Sequence, residues 1–233
     1  MRQLLITLTL LAQLTVRAQE RPSDNLMFNC FKNSATEKAE GNCVTVAFIK
    51  AAIGTFGVNN VFRSVNRDED KKQYNIMLRN GSIVLLGFGE LETATSVSGL
   101  RGTNTDLLSA DICKYATLCY AVMAKKLQQT VTSHTFATAL ADLGDGYPIE
   151  NIAILLGLAL KPIKPVNTAA LEHYNHIVVK NYYYTAYAYL GYYDEVKQTE
   201  GYAPLADMRK YHAGLPCAIK RCNITEAYRV DEM

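Results

Sequence analysis

The period of the apolar residues changes along this chain, and that change constrains the fold more than any other feature. From Cys43 onward, Val44, Ala47, Phe48, Ala51 and Ala52 recur at helical spacing, and Gly54 and Gly57 end the run. A long helix is expected over 105–129. Shorter ones are expected over 134–143 and 149–158, parted by Gly144-Asp145-Gly146-Tyr147-Pro148. In the last third the period becomes two. His176-Ile177-Val178-Val179-Lys180 reads as one strand, Tyr184 to Tyr192 as another, and Pro216 to Cys222 as a third. Seven tyrosines fall between Tyr182 and Tyr193, and Tyr187-Ala188-Tyr189 puts large residues on one strand face. Amphipathic rings covering a strand face and a sheet edge explain them more simply than a carbohydrate- or base-stacking platform does. Helices first and strands later predict an α+β fold in one domain.

Between these parts a hairpin is expected. Tyr74 to Arg79 and Ser82 to Leu86 flank Asn80-Gly81, the residues of a type I′ turn. Before it, Arg63, Arg67, Lys71 and Lys72 interleave with Asp68, Glu69 and Asp70, which reads as a solvated loop rather than a phosphate track. The net charge is +2 and the charges are mixed, so no basic stripe points to nucleic acid. Lys161-Pro162 and Lys164-Pro165 mark a linker-like loop, and residues 19–42 read as polar and irregular.

The N-terminus predicts export. Arg2 gives a positive start, Leu4 to Leu14 an apolar core, and Val16-Arg17-Ala18 a signal-peptidase site. That apolar run of about 11 residues is too short to span a membrane. Residues 1–18 are therefore expected to be a cleaved signal peptide and 19–233 one domain, secreted or periplasmic. No later segment reads as a membrane span.

The six cysteines are Cys30, Cys43, Cys113, Cys119, Cys217 and Cys222. In an exported chain an even count suggests disulfides. Cys113 and Cys119 lie in the same expected helix, roughly 9 Å apart along its axis, which is beyond disulfide reach. Cys217 and Cys222 could pair across a bend or point to opposite strand faces. Paired CxxC units and HExxH are missing, so neither a metal nor another cofactor is called for.

Gly41-Asn42-Cys43 is the one chemically pointed motif. Asn42 can cap the helix that Cys43 begins. A thiol at a helix N-terminus feels the positive end of the dipole, which favours the reactive thiolate. The same unpaired N–H groups can hold an oxyanion. A buried or disulfide-bonded Cys that merely starts a helix is the simpler alternative.

Gly41-Asn42-Cys43 with its apolar helix resembles the Gly-Asp-Cys start of the calpain-like branch of the papain-fold cysteine peptidases. Three further stretches are similar in order. The hairpin Tyr74 to Leu86 looks like the strand pair after the nucleophile helix. Tyr120-Ala121-Val122-Met123-Ala124-Lys125-Lys126-Leu127 is similar to the family's Ala-Tyr-Ala-Lys-Leu helix. Ala139 to Gly146, with Leu156-Gly157, is similar to its Ala-Leu-x-x-Leu-Thr-Gly-Gly stretch. The resemblance implies a papain-like fold with the nucleophile-position helix near the N-terminus and antiparallel strands in the C-terminal third.

The departures carry as much information. The family's Gln six residues before the Cys completes the oxyanion hole; Glu37 stands there. The family's His-Ala-Tyr-Ser-Val strand matches Thr185-Ala186-Tyr187-Ala188-Tyr189, which puts Thr185 at the catalytic His position. Asn-Pro-Trp-Gly has no counterpart, and the chain has no Trp. One alternative restores a base: Asn175-His176-Ile177-Val178 is similar to the papain Asn-His-Ala-Val pattern, with Asn181 or Asp194 orienting the imidazole. The expectation is a secreted, peptidase-like protein with impaired catalysis that binds peptide or protein in the former substrate cleft. The alternatives are an active thiol peptidase using Cys43 and His176, and a disulfide-bonded structural or interaction module.

Overall fold

The computed structural model describes residues 25–33, 42–102, 106–181, 184–194, 202–204 and 224–233. The expected signal peptide, Glu37, Cys217, Cys222 and the strand expected over 216–222 lie outside them. So do Tyr182 and Tyr183.

Helix α1 (Leu26–Asn29) and strand β1 (Phe31–Asn33) lead in. Helix α2 (Cys43–Phe56) is the centre of the molecule, with every residue from Thr45 to Ile53 buried. A helix this apolar and covered on all sides has no face left for solvent. It ends where the spacing predicts: the Gly57 N–H donates to the Ile53 carbonyl (2.7 Å), and Gly57 has a φ of +92°. Its start differs from the expectation. Asn42 has helical φ and makes no side-chain cap; its Nδ2 instead donates to the Ser98 carbonyl at 3.4 Å.

Strands β2 (Ser64–Asp68), β3 (Gln73–Met77) and β4 (Ile83–Gly87) form an antiparallel meander. The stretch expected as a solvated charged loop thus contains an edge strand. Its charges are tolerated because most of β2 faces water. The β3–β4 turn is not type I′. Of its two expected central residues only Gly81 has a positive φ, and the Gly81 N–H donates to the Leu78 carbonyl at 3.0 Å. Leu78 still pairs with Ser82. This is the three-residue loop in which Gly takes the left-handed bulge position.

Helix α3 (Phe88–Val97) and strand β5 (Leu100–Gly102) lead to helix α4 (Leu107–Thr130), which Asp106 caps by accepting from the Ser109 N–H at 2.8 Å. By length and composition α4 is apolar enough to cross a membrane, contrary to the expectation that no later segment would be. Here much of its length is buried in the core, and it contacts α2, α3, helix α5 (Phe136–Asp145) and β4.

Helix α6 (Ile149–Ile152) passes into a 3₁₀ turn (Ala153–Leu156), and Gly157 ends it at a φ of +67°. The expected linker around Pro162 begins instead as strand β6 (Leu158–Pro162). Pro162 fits because β6 is a sheet edge, where a missing N–H leaves no partner unsatisfied.

After helix α7 (Thr168–Leu171) come β7 (Ile177–Lys180), β8 (Thr185–Tyr189), β9 (Tyr192–Asp194), β10 (Tyr202–Pro204) and β11 (Glu226–Glu232). The single strand expected over Tyr184 to Tyr192 is two, broken at Leu190-Gly191, both with positive φ. With β6 these make one antiparallel sheet in the order β10-β9-β8-β7-β11-β6. The α+β expectation is met, with antiparallel sheets. Strand alternation gives the large sheet two apolar faces. Val178, Tyr187, Tyr189 and Val230 join the main core, while Ile177, Val179, Ala186, Ala188 and Ala227 form a second cluster with Ile163 and Leu171. The tyrosines of β8 are therefore core residues.

Candidate functional site

The geometry around Cys43 follows from α2 lying against β8. Cys43 is the first residue of α2, and Thr185 is the first residue of β8. Thr185 is buried at 3% exposure, and both its backbone and its hydroxyl act on the Cys43 sulfur. The two residues that the resemblance assigns to nucleophile and base positions are thus neighbours.

The electrostatics run against a reactive thiol. Burial pushes the Cys43 thiol pKa up. Hydrogen bonding from the Thr185 backbone and hydroxyl, and from the first backbone groups of the helix, pulls it back only in part. The helix-start N–H groups favour thiolate as expected, but losing solvent outweighs them and the net shift is upward. The Thr45 hydroxyl is spent on the Leu143 carbonyl at 3.0 Å, tying this first turn to the end of α5. Asn42 Oδ1, beside the cysteine, is buried with no hydrogen-bond partner.

His176 is not brought to Cys43. A Cβ on Gly54 would stand 2.2 Å from His176 Nδ1. Gly54 is eleven residues beyond Cys43 in the same helix, about 16 Å along its axis. The imidazole Nδ1 is 2.8 Å from the Tyr187 hydroxyl, which also accepts from Asn25 Nδ2 at 2.7 Å. The Tyr189 ring lies against it at 4.9 Å between centroids. Register explains the separation. Lys180 pairs with Thr185 at one end of the β7–β8 hairpin, while Ile177 pairs with Ala188 at the other, and His176 precedes that second end.

Asp194 pairs with a lysine of α2. Its Oδ2 lies 2.5 Å from Lys50 Nζ, and that lysine is fully buried within α2. The ammonium also lies 5.0 Å from the centre of the Phe31 ring. Asn181 closes the β7–β8 turn, with its Oδ1 accepting from the Tyr184 N–H at 2.7 Å. Sequence reasoning passed over Lys50. The signal was present: a single Lys inside the apolar run of Ala47 to Ile53 needs a buried anion.

Cys30, Cys43, Cys113 and Cys119 are all free thiols. Cys30 lies near the Lys50–Asp194 pair, and burial pushes its pKa up to about 12. Cys113 and Cys119 share α4 as expected. Among the described residues no group of three His, Cys, Asp or Glu could hold a metal ion. Comparison with family models, with curated proteins and with solved structures gave no match.

Proposed function

We propose that the chain is a secreted cysteine-peptidase-like protein of the papain fold, closest in pattern to the calpain-like branch. Its catalysis is impaired, and its former substrate cleft binds peptide or protein. The observation that carries this reading is Thr185 beside Cys43. The residue aligned to the family's His by sequence pattern alone lies at the thiol, so two independent lines meet at one position. A Thr hydroxyl cannot serve as general base near neutral pH. Glu37, at the position of the oxyanion donor, would repel the charge a donor should stabilise.

The active-peptidase reading needs His176 within about 2.6–3.2 Å of the thiol, or somewhat looser before substrate binds. Its place against Gly54 opposes that. The disulfide-module reading is opposed by four free thiols.

The test is a peptide library screened for binding and cleavage on the reduced mature protein. Binding without cleavage, with bound peptide shielding Cys43 from alkylation, supports the reading. Peptides that bind yet leave Cys43 equally exposed to reagent would move the cleft elsewhere.

A further inference from the structure

The β3–β4 turn carries a pattern that the Cys43 site does not use. Asn80-Gly81-Ser82 is an Asn-x-Ser triplet, the acceptor sequence for N-linked glycan transfer in an exported chain when the middle residue is not Pro. Asn223-Ile224-Thr225 repeats the pattern, with Asn223 outside the described residues. Such triplets are short enough to arise by chance, so the way Asn80 is presented decides.

Asn80 and Gly81 are exposed. They sit at the tip of the turn that the Gly81 N–H closes on the Leu78 carbonyl at 3.0 Å. A Cβ built on Gly81 would meet no atom within 4 Å, so the turn projects into open space. Surface turns of this kind are where bulky modifications can be carried without disturbing a core.

The side-chain geometry then separates the two ends of the carboxamide. Asn80 Oδ1 accepts from the Ser82 N–H at 3.1 Å and from the Ser82 hydroxyl at 2.8 Å, which is an Asx-turn. A Cβ on Gly157 would stand 2.8 Å from the same oxygen, so that side is closed. Nδ2 lies 3.8 Å from Met233 Sδ. A thioether is a weak acceptor, and Met233 is 64% exposed, so it can give way to a substituent. Met233 also follows Asn80 by 153 residues. A chain modified while it crosses a membrane reaches the transferase before that contact exists.

We propose that Asn80 is an N-glycosylation site, with Nδ2 taking an oligosaccharide from a lipid diphosphate donor. The bond from the sugar's anomeric carbon to the diphosphate oxygen breaks, a bond from that carbon to Nδ2 forms, and Nδ2 gives up one proton. This rests on the export reading in the proposed function, because donor and transferase act on translocated chain.

The test is translation of the full 233-residue chain with endoplasmic-reticulum microsomes, in an Asn223→Gln background so that a single shift reports Asn80. External protease reports entry, and peptide-N-glycosidase with mass mapping reports the site. An untreated control separates spontaneous deamidation of Asn80-Gly81 from glycan removal. The protease-protected chain should carry one glycan at Asn80. Asn80→Gln and Ser82→Ala should each abolish the shift, and Ser82→Thr should keep it. A protected chain without the glycan, or one still modified as Ser82→Ala, would make the triplet a turn sequence only and overturn the proposal while leaving export intact. A chain that remains open to protease would contradict export itself, and the proposal with it.

Discussion

Thr185 stands beside the sulfur of Cys43, at the junction where helix α2 begins and strand β8 begins. The pairing sets both the chemistry and its limit. A helix start supplies backbone donors, and a strand start supplies a side chain. The side chain supplied is a hydroxyl, and burial keeps the thiol protonated.

The first consequence is a slow thiol. With its pKa raised, Cys43 carries less thiolate at neutral pH than the few per cent of a free cysteine. Iodoacetamide should modify it more slowly than free cysteine under the same conditions, with the rate climbing as pH rises past the ordinary thiol range. Thr185→Val removes a hydroxyl that lowers the pKa, so alkylation should slow further. Mass-spectrometric labelling at several pH values checks both. Labelling faster than free cysteine near pH 7 would contradict the burial argument.

Gly54 and His176 give a second expectation. Replacing Gly by Ala inside a helix ordinarily stabilises by roughly 0.5–1 kcal/mol. Here the added Cβ would stand 2.2 Å from His176 Nδ1. The imidazole must move and release the Tyr187 hydroxyl. Gly54→Ala should therefore destabilise by about 1–3 kcal/mol in denaturant unfolding. In a His176→Ala background the same change should become neutral or stabilising. An additive double-mutant cycle would show that the two positions are not coupled.

A third expectation concerns Lys50 and Asp194. Lys50 is fully buried and Asp194 nearly so. Lys50→Met leaves a buried carboxylate without its cation and should cost about 3–5 kcal/mol. Lys50→Met with Asp194→Leu removes both charges and should recover much of that loss. Urea unfolding of the two variants decides it. A double variant no more stable than Lys50→Met would mean that lost packing, not the loss of the Lys50–Asp194 charge pairing, causes the destabilisation.

What the sequence disclosed follows from how far each property depends on distant residues. Helix α2 and its first residue were legible because Val44, Ala47, Phe48 and Ala51 carry a local period. The β8 face was legible for the same reason. Strand β2 was hidden because it is an exposed edge, and Arg67 and Asp68 read as loop. Strand β11 was missed because Ala227 and Val230 do not keep period two; it exists by insertion between β7 and β6. Helix α3 has one buried residue, Ala94, and so almost no apolar signature. At the site, motif order placed Cys43 and Thr185 together. The raised thiol pKa and the Lys50–Asp194 pair come from tertiary neighbours, which no local spacing reports.

Peptide hydrolysis tests the central claim most directly. A working site needs a base at the thiol and donors at the oxyanion, and loss of one donor alone typically costs about 10²–10³ in turnover. Under the proposed peptidase-like reading, Thr185 stands at the base position and Glu37 at the donor position, while His176 lies against the far end of α2. The reduced protein should show little or no turnover across a broad peptide library. Clear turnover that is abolished by both Cys43→Ala and His176→Ala would contradict this account and establish an active thiol peptidase.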